Sequence, residues 1–162
     1  MLPATRRGFS ADYSFEAVAL FNSSIGAYPA DGAGEEDTPL VLSLRGVGEG
    51  HLSSVTFRTG RWRASGEVRI DPPAGTGVTP VIDDTGVQAD GSIRIDCRGS
   101  REPSEAVLFS VTDNQDRDIE DLRLTPFTAP DGSRTFLGTY TAVSAAAIRQ
   151  EILRTDDFRA ST

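Results

Sequence analysis

Residues 43–60 read SLRGVGEGHLSSVTFRTG. Gly46, Gly48 and Gly50 let the backbone turn tightly or approach another group closely. Beyond them Leu52, Val55 and Phe57 resume a pattern suited to a strand. The stretch is therefore strand, turn, strand, with Arg45, Glu49 and the chain's only histidine, His51, at the mouth of a β-structure.

The same pattern continues outward in both directions. FEAVALF (residues 15–21), PLVLSLR (39–45), GEVRIDP (66–72), SIRIDC (92–97), EAVLFSVT (105–112), LRLTPFT (122–128) and TFLGTYTAV (135–143) carry β-branched or aromatic residues at period two. Asp31-Gly32, Ser65-Gly66, Asp90-Gly91 and Asp131-Gly132 punctuate them as hairpin-type turns. The chain reads as all-β and suits antiparallel meanders. A sandwich would give a similar pattern, because the repeat spacing is too irregular to single out blades. Residues 72–91, rich in Gly, Pro, Thr and Asp, read as a long surface loop. SAAAIRQEIL (144–153) has helix-forming composition with a serine able to cap it, in conflict with a strand reading; the strand is preferred.

Composition narrows the function. A chain of 162 residues suits one domain, and it contains no run of the ~20 apolar residues that a membrane-spanning helix needs. MLPATRRGFS has arginines but no apolar segment behind them, so it does not read as a signal peptide. A cytoplasmic location with no membrane partner is the resulting expectation. The net charge of −8 argues against nucleic acid, which requires a clustered positive face. It favours neutral or cationic ligands. All 16 basic residues are arginine, which excludes Schiff-base and phosphate-binding lysines within this chain. Lone Cys97 can form neither an internal disulfide nor a cysteine-based zinc site, and reads as a small half-buried strand residue.

The chemistry-bearing stretch is DNQDRDIEDLRL (113–124), which concentrates Asp113, Asp116, Asp118, Glu120 and Asp121. It lacks the glycine and terminal glutamate of a calcium loop, and a solvated turn is its plainest reading. Along a regular strand Glu120 and Asp121 would point to opposite faces.

Four separated segments, LFNSSI (20–25), SLRGVGEGHLSSVTFRTG (43–60), IEDLRL (119–124) and LGTYTA (137–142), resemble glycoside hydrolase family 130, the five-bladed β-propeller β-mannoside phosphorylases and mannosidases. The resemblance implies a partial five-bladed β-propeller of antiparallel four-stranded blades over residues 15–162, behind an N-terminal extension, residues 1–14. It spans only the N-terminal part of the family's length, a truncation whose open edges would drive homo-oligomer formation if the chain is complete.

The family's acid falls on Asp121 by position. The implied reaction is inverting: the acid protonates through the sugar's 3-hydroxyl while inorganic phosphate, or an activated water, attacks the anomeric carbon. An acid of this kind needs burial or neighbouring negative charge, which Asp118 and Glu120 could supply. Hydrolysis needs a second carboxylate about 6.5–9.5 Å away, for which Glu49 qualifies by chemistry only. The implied subsite for a β-mannoside comprises Asn22, Arg45, His51, Ser54, Arg123 and Tyr140, with no cofactor and no metal. Ser23 and Leu122 stand where the family usually has proline or a small residue, and the family's helical insertion is missing. These departures, with the missing part of the propeller, leave a truncated non-catalytic carbohydrate-binding or vestigial module as the alternative, and an all-β interaction domain as the plainest one.

Overall fold

The computed structural model describes residues 13–28, 37–97 and 99–161. Within them the chain is all-β, with three one-turn 3-10 segments and no α-helix. The strands are β1 (Ala19–Ala27), β2 (Asp37–Val47), β3 (Ser53–Arg63), β4 (Val68–Ile70), β5 (Val81–Val87), β6 (Ile93–Asp96), β7 (Val107–Leu108), β8 (Asp118–Thr128), β9 (Arg134–Val143), β10 (Ile148–Thr155) and β11 (Ala160–Ser161). No helix is long and apolar enough to cross a membrane.

Two antiparallel sheets result. The first has the order β1-β2-β3-β4, with β7 also paired to β3; the second has the order β5-β6-β11-β10-β9-β8. Neither closes on itself among the described residues. The stretch 43–60 is the centre of the first sheet: β2 and β3 pair without a break from Asp37↔Arg63 to Val47↔Ser53. The 3-10 turn Glu49–His51 joins them, and Gly50 takes the positive φ of 72° that this turn demands.

The alternation seen in the sequence decides what is buried. Val41, Val55 and Phe57 of the first sheet pack in one core with Ile119, Leu122, Leu124, Phe136, Tyr140 and Ala142 of the second. Phe158, from the connection between β10 and β11, sets its ring 5.1 Å from Phe57 and 4.9 Å from Phe136. Each such side chain contributes roughly 1.5–3 kcal/mol by leaving water. Gly138 is required by this packing, since a Cβ there would lie 2.6 Å from Leu122 Cδ1.

Gly66, Gly91 and Gly132 all take positive φ, as the hairpin punctuation demands. The fourth expected turn, Asp31-Gly32, and the segment MLPATRRGFS lie outside the described residues.

Two expectations change. Residues 72–91 are not a continuous loop, because Val81–Val87 form β5 against β6. The Gly, Pro and Thr content hid a strand whose partner supplies the pairing that composition does not suggest. In EAVLFSVT only Val107–Leu108 form a strand, following the 3-10 turn Pro103–Glu105. The conflict over 144–153 resolves as a strand after a turn. Ser144, the potential helix cap, instead closes the turn, with Ala147 N–H donating to Ser144 Oγ at 3.1 Å, and Ile148–Thr155 then pair along β9.

Candidate functional site

Strands β1 and β8 carry the site, and each breaks its ladder once. Phe21 pairs with Arg45 and Ser24 with Ser43, so Asn22 and Ser23 together oppose Leu44. Glu120 pairs with Thr141 and Arg123 with Thr139, so Asp121 and Leu122 together oppose Tyr140. Both are β-bulges. The first residue of each is left-handed, with φ of 47° at Asn22 and 57° at Asp121. Asn and Asp tolerate this region better than other residues with a Cβ, at a cost of order 1 kcal/mol.

The two bulges face each other across the sheets. Asn22 Nδ2 donates to both carboxylate oxygens of Asp121, 2.7 Å each. Arg123 Nη1 donates to the Ser23 carbonyl at 2.8 Å, Leu124 N–H to Ser24 Oγ at 3.1 Å, and buried Ser43 Oγ to the Leu122 carbonyl at 2.7 Å. Backbone groups that the bulges withdraw from their ladders are thus satisfied across the interface.

Arg45, from β2, completes the cluster. Its Nη2 donates to Glu120 Oε1 at 2.5 Å and its Nη1 lies 3.9 Å from Asp121 Oδ1. Its Nε donates to Ser53 Oγ at 3.1 Å, while the Ser53 N–H donates to Asp118 Oδ1 at 2.8 Å. The side chains of Arg45, Glu120 and Asp121 are 22%, 27% and 35% exposed, so the cluster is part-buried but open to a ligand. The arrangement offers two adjacent carboxylates, a guanidinium and an amide, a set suited to polar, hydroxyl-rich molecules.

Glu120 and Asp121 do not point apart as regular alternation would have them. Alternation holds only for regular backbone, and the left-handed residue at the bulge re-aims Asp121 so that one arginine reaches both carboxylates.

The structure brings Asn22, Arg45, Asp121 and Arg123 together. His51 is not joined to this cluster by any hydrogen bond or ion pair among those described: it is exposed on the turn before β3, with φ of 61°, and its backbone N–H donates to the Gly48 carbonyl. Ser54 is fully buried with its Oγ unpartnered, which leaves no surface for a sugar. Tyr140 is buried and donates to Glu151 Oε2 at 2.6 Å while accepting from Gln115 Nε2 at 2.8 Å; burial and Glu151 push its phenol well above the usual range. Glu49, the possible second carboxylate, is exposed, and its backbone is held by Tyr13 and Ser14. Sequence reasoning missed Ser53 and did not foresee Asp118 and Glu120 as anchors of the Arg45 network. The signal for the carboxylates was their spacing of two along a strand; nothing local marked Ser53 over Ser54.

Among the described residues no group of three or more His, Cys, Asp or Glu side chains is arranged to hold a metal. Buried Cys97 has its thiol pushed up to about 11 by burial, with Asp96 and Asp157 adding to the effect, which disfavours the reactive thiolate.

Comparison with family models, with curated proteins and with solved structures found no match.

Proposed function

We propose that the chain is a glycosidase or glycoside phosphorylase-like protein that acts on β-mannosides by an inverting mechanism, with Asp121 as general acid. The observation that carries this reading is the pair of facing bulges that hold Asn22 and Asp121 in left-handed backbone, 2.7 Å apart through their side chains. Strain of this kind persists only where the surroundings over-determine it, and it concentrates at functional sites. Part of each sheet also suits the propeller reading, with β7 additional in the first sheet and β5 and β6 in the second. β1 to β4 and β8 to β11 each run outward, strand by strand, from the shared β1/β8 contact, as two neighbouring blades would.

In this reaction Asp121 gives its proton through the sugar's 3-hydroxyl to the glycosidic oxygen, and an oxygen of phosphate or water forms the new bond to the anomeric carbon as the old one breaks. Asn22 and Arg45 position the acid and hydrogen-bond the sugar, while Arg123 fixes the Ser23 bulge. A second reading, a non-catalytic carbohydrate-binding module, is favoured by the engagement of both Asp121 oxygens by Asn22, a geometry in which Asp121 acts as an acceptor through each oxygen.

Release of mannose or mannose 1-phosphate from β-mannosides, with and without phosphate, separates the two. Turnover that falls at least ~100-fold in Asp121→Asn, with the fold intact by circular dichroism, is expected of the enzyme. Folded protein that yields no product but binds the sugar in calorimetry replaces the enzyme reading with the binding one.

A further inference from the structure

Strand β3 presents different residues to its two faces. Val55 and Phe57 look into the core, and Arg45, paired with Val55, reaches the Asp121 cluster from that side. Thr56 and Arg58 alternate to the opposite face. Both are buried there, Arg58 with only 6% of its surface exposed, beside residues 13–16 and 73–77, neither of which is strand. The first of these segments is fastened to the turn between β2 and β3: Tyr13 OH donates to the Glu49 carbonyl at 2.8 Å and the Glu49 N–H to the Ser14 carbonyl at 3.3 Å. Gly48 permits this approach, since a Cβ there would lie 2.5 Å from the Ser14 carbonyl oxygen. The second is fastened at Val78, whose N–H donates to the Glu105 carbonyl at 2.7 Å. Gly77 packs beside it so closely that a Cβ would meet Val107 at 2.9 Å and the Phe15 ring at 3.1 Å. A cleft of about 200 Å³ remains between the segments, with Glu16, Thr56 and Arg58 in its lining.

Glu16 ties these groups together. Its Oε1 accepts from Thr56 Oγ1 at 2.6 Å and its Oε2 from Arg58 Nη2. Arg58 Nη1 donates to the Phe57 carbonyl at 2.8 Å. Two of the five guanidinium N–H groups are thus engaged, and the other three have no acceptor among the described residues. Each Glu16 oxygen also keeps room for a further donor. We propose that this cleft binds a neutral polyhydroxylated ring, a single monosaccharide unit, at a site separate from the Asp121 cluster. The charge arrangement selects neutrality. An anion would meet the Glu16 carboxylate and a cation the Arg58 guanidinium, and a zwitterion would have to part the buried pair and leave each charge uncompensated. Hydroxyls need no such change. Two adjacent O–H groups of one ring donate to the open Glu16 sites while their oxygens accept from the unengaged Arg58 N–H groups. The Tyr13 and Phe15 rings also line the cleft and offer apolar surface to the C–H face of the sugar. The volume lies below the ~300 Å³ at which drug-sized sites begin, which limits the occupant to one ring.

The test titrates the isotopically labelled full chain with glucose, mannose, galactose, xylose and N-acetylglucosamine, each to about 100 mM, while amide chemical shifts are followed by NMR. At least one sugar is expected to shift residues 14–16, 56–58 and 75–77 saturably, with an affinity that does not change between low and high salt because the ligand is neutral. Arg58→Lys keeps the charge of the ion pair but loses the guanidinium fork, and should weaken binding about fivefold or more. Thr76→Phe, at an exposed position that lines the cleft, leaves the buried pair untouched and should weaken binding by fillingpart of the space. The proposal is overturned by a dispersed spectrum in which none of the five sugars shifts these amides, or by shifts confined to the surroundings of Asn22, Arg45 and Asp121. Native affinity in either folded variant overturns it as well. Shifts of the same amides by inorganic phosphate or by alanine, with none from the sugars, would assign the cleft to a charged ligand and likewise overturn it.

Discussion

β2 and β3 form a ladder that runs unbroken through the whole of both strands, whereas β1 and β8, which carry the polar cluster, each slip register at one point. The regular pair contributes Val41, Val55 and Phe57 to the core. The bulged pair contributes Asn22 and Asp121 to an open, charged surface. Regular pairing satisfies every backbone group within the sheet and leaves side chains alternating, which serves packing. A bulge releases backbone groups and re-aims one side chain, which serves recognition. Arg45 joins the two regimes, because it grows from the regular ladder and ends among the carboxylates of the bulged one.

Substitutions should separate these roles. The largest effect is expected at Phe57, 2% exposed in the regular ladder: Phe57→Ala should cost about 3–5 kcal/mol in urea unfolding. A cost below that of Asn22→Ala would reverse the contrast. Next comes the bond that ties the regions together. Ser43→Ala strands the buried Leu122 carbonyl and should cost about 1–3 kcal/mol. In a double-mutant cycle with Asn22→Ala the losses should be non-additive; strict additivity would mean that the two sheets are not coupled there.

A smaller effect isolates the bulge itself. Asn22→Gly and Asn22→Ala both lose the amide, but only glycine relieves the positive φ of 47°. The glycine variant should be the more stable by about 1 kcal/mol, and equal stabilities would argue for regular backbone at this position.

The smallest effect, absent at neutral pH, belongs to the second sheet. The Cys97 thiol is raised from 9.0 to about 11 in the folded state, and the Tyr140 phenol is raised further. Folding therefore favours their protonated forms. That contribution is complete below the unfolded values and is lost as pH rises from about 9 through about 11 for Cys97, and at higher pH for Tyr140. Urea midpoints should fall between pH 8 and pH 10.5, and by less in Cys97→Ala. An identical fall in the variant would remove Cys97 from the account.

Legibility followed the range of the physics. The turns at Gly66, Gly91 and Gly132 were readable because a positive φ is a demand of a single residue. β5 was not, since Val81–Val87 owes its strand to pairing with β6 rather than to its own composition. Of the candidate site residues, Asn22, Arg45, Asp121 and Arg123 converge. Ser54 and Tyr140 turn into buried surroundings instead, because the β2/β3 register and the bulge opposite Tyr140 decide which face each one takes.

The sequence by itself determined an all-β chain, its hairpin turns and the polar residues available for chemistry, because period-two alternation and turn preferences act over a few neighbouring residues. Only the tertiary structure decided that Asn22 meets Asp121, 99 residues away, that one arginine reaches both Glu120 and Asp121, and that β11 enters the second sheet between β6 and β10. Register, bulges and strand order are settled by pairing between distant segments, and a single bulge overturns the side-chain directions that alternation assigns.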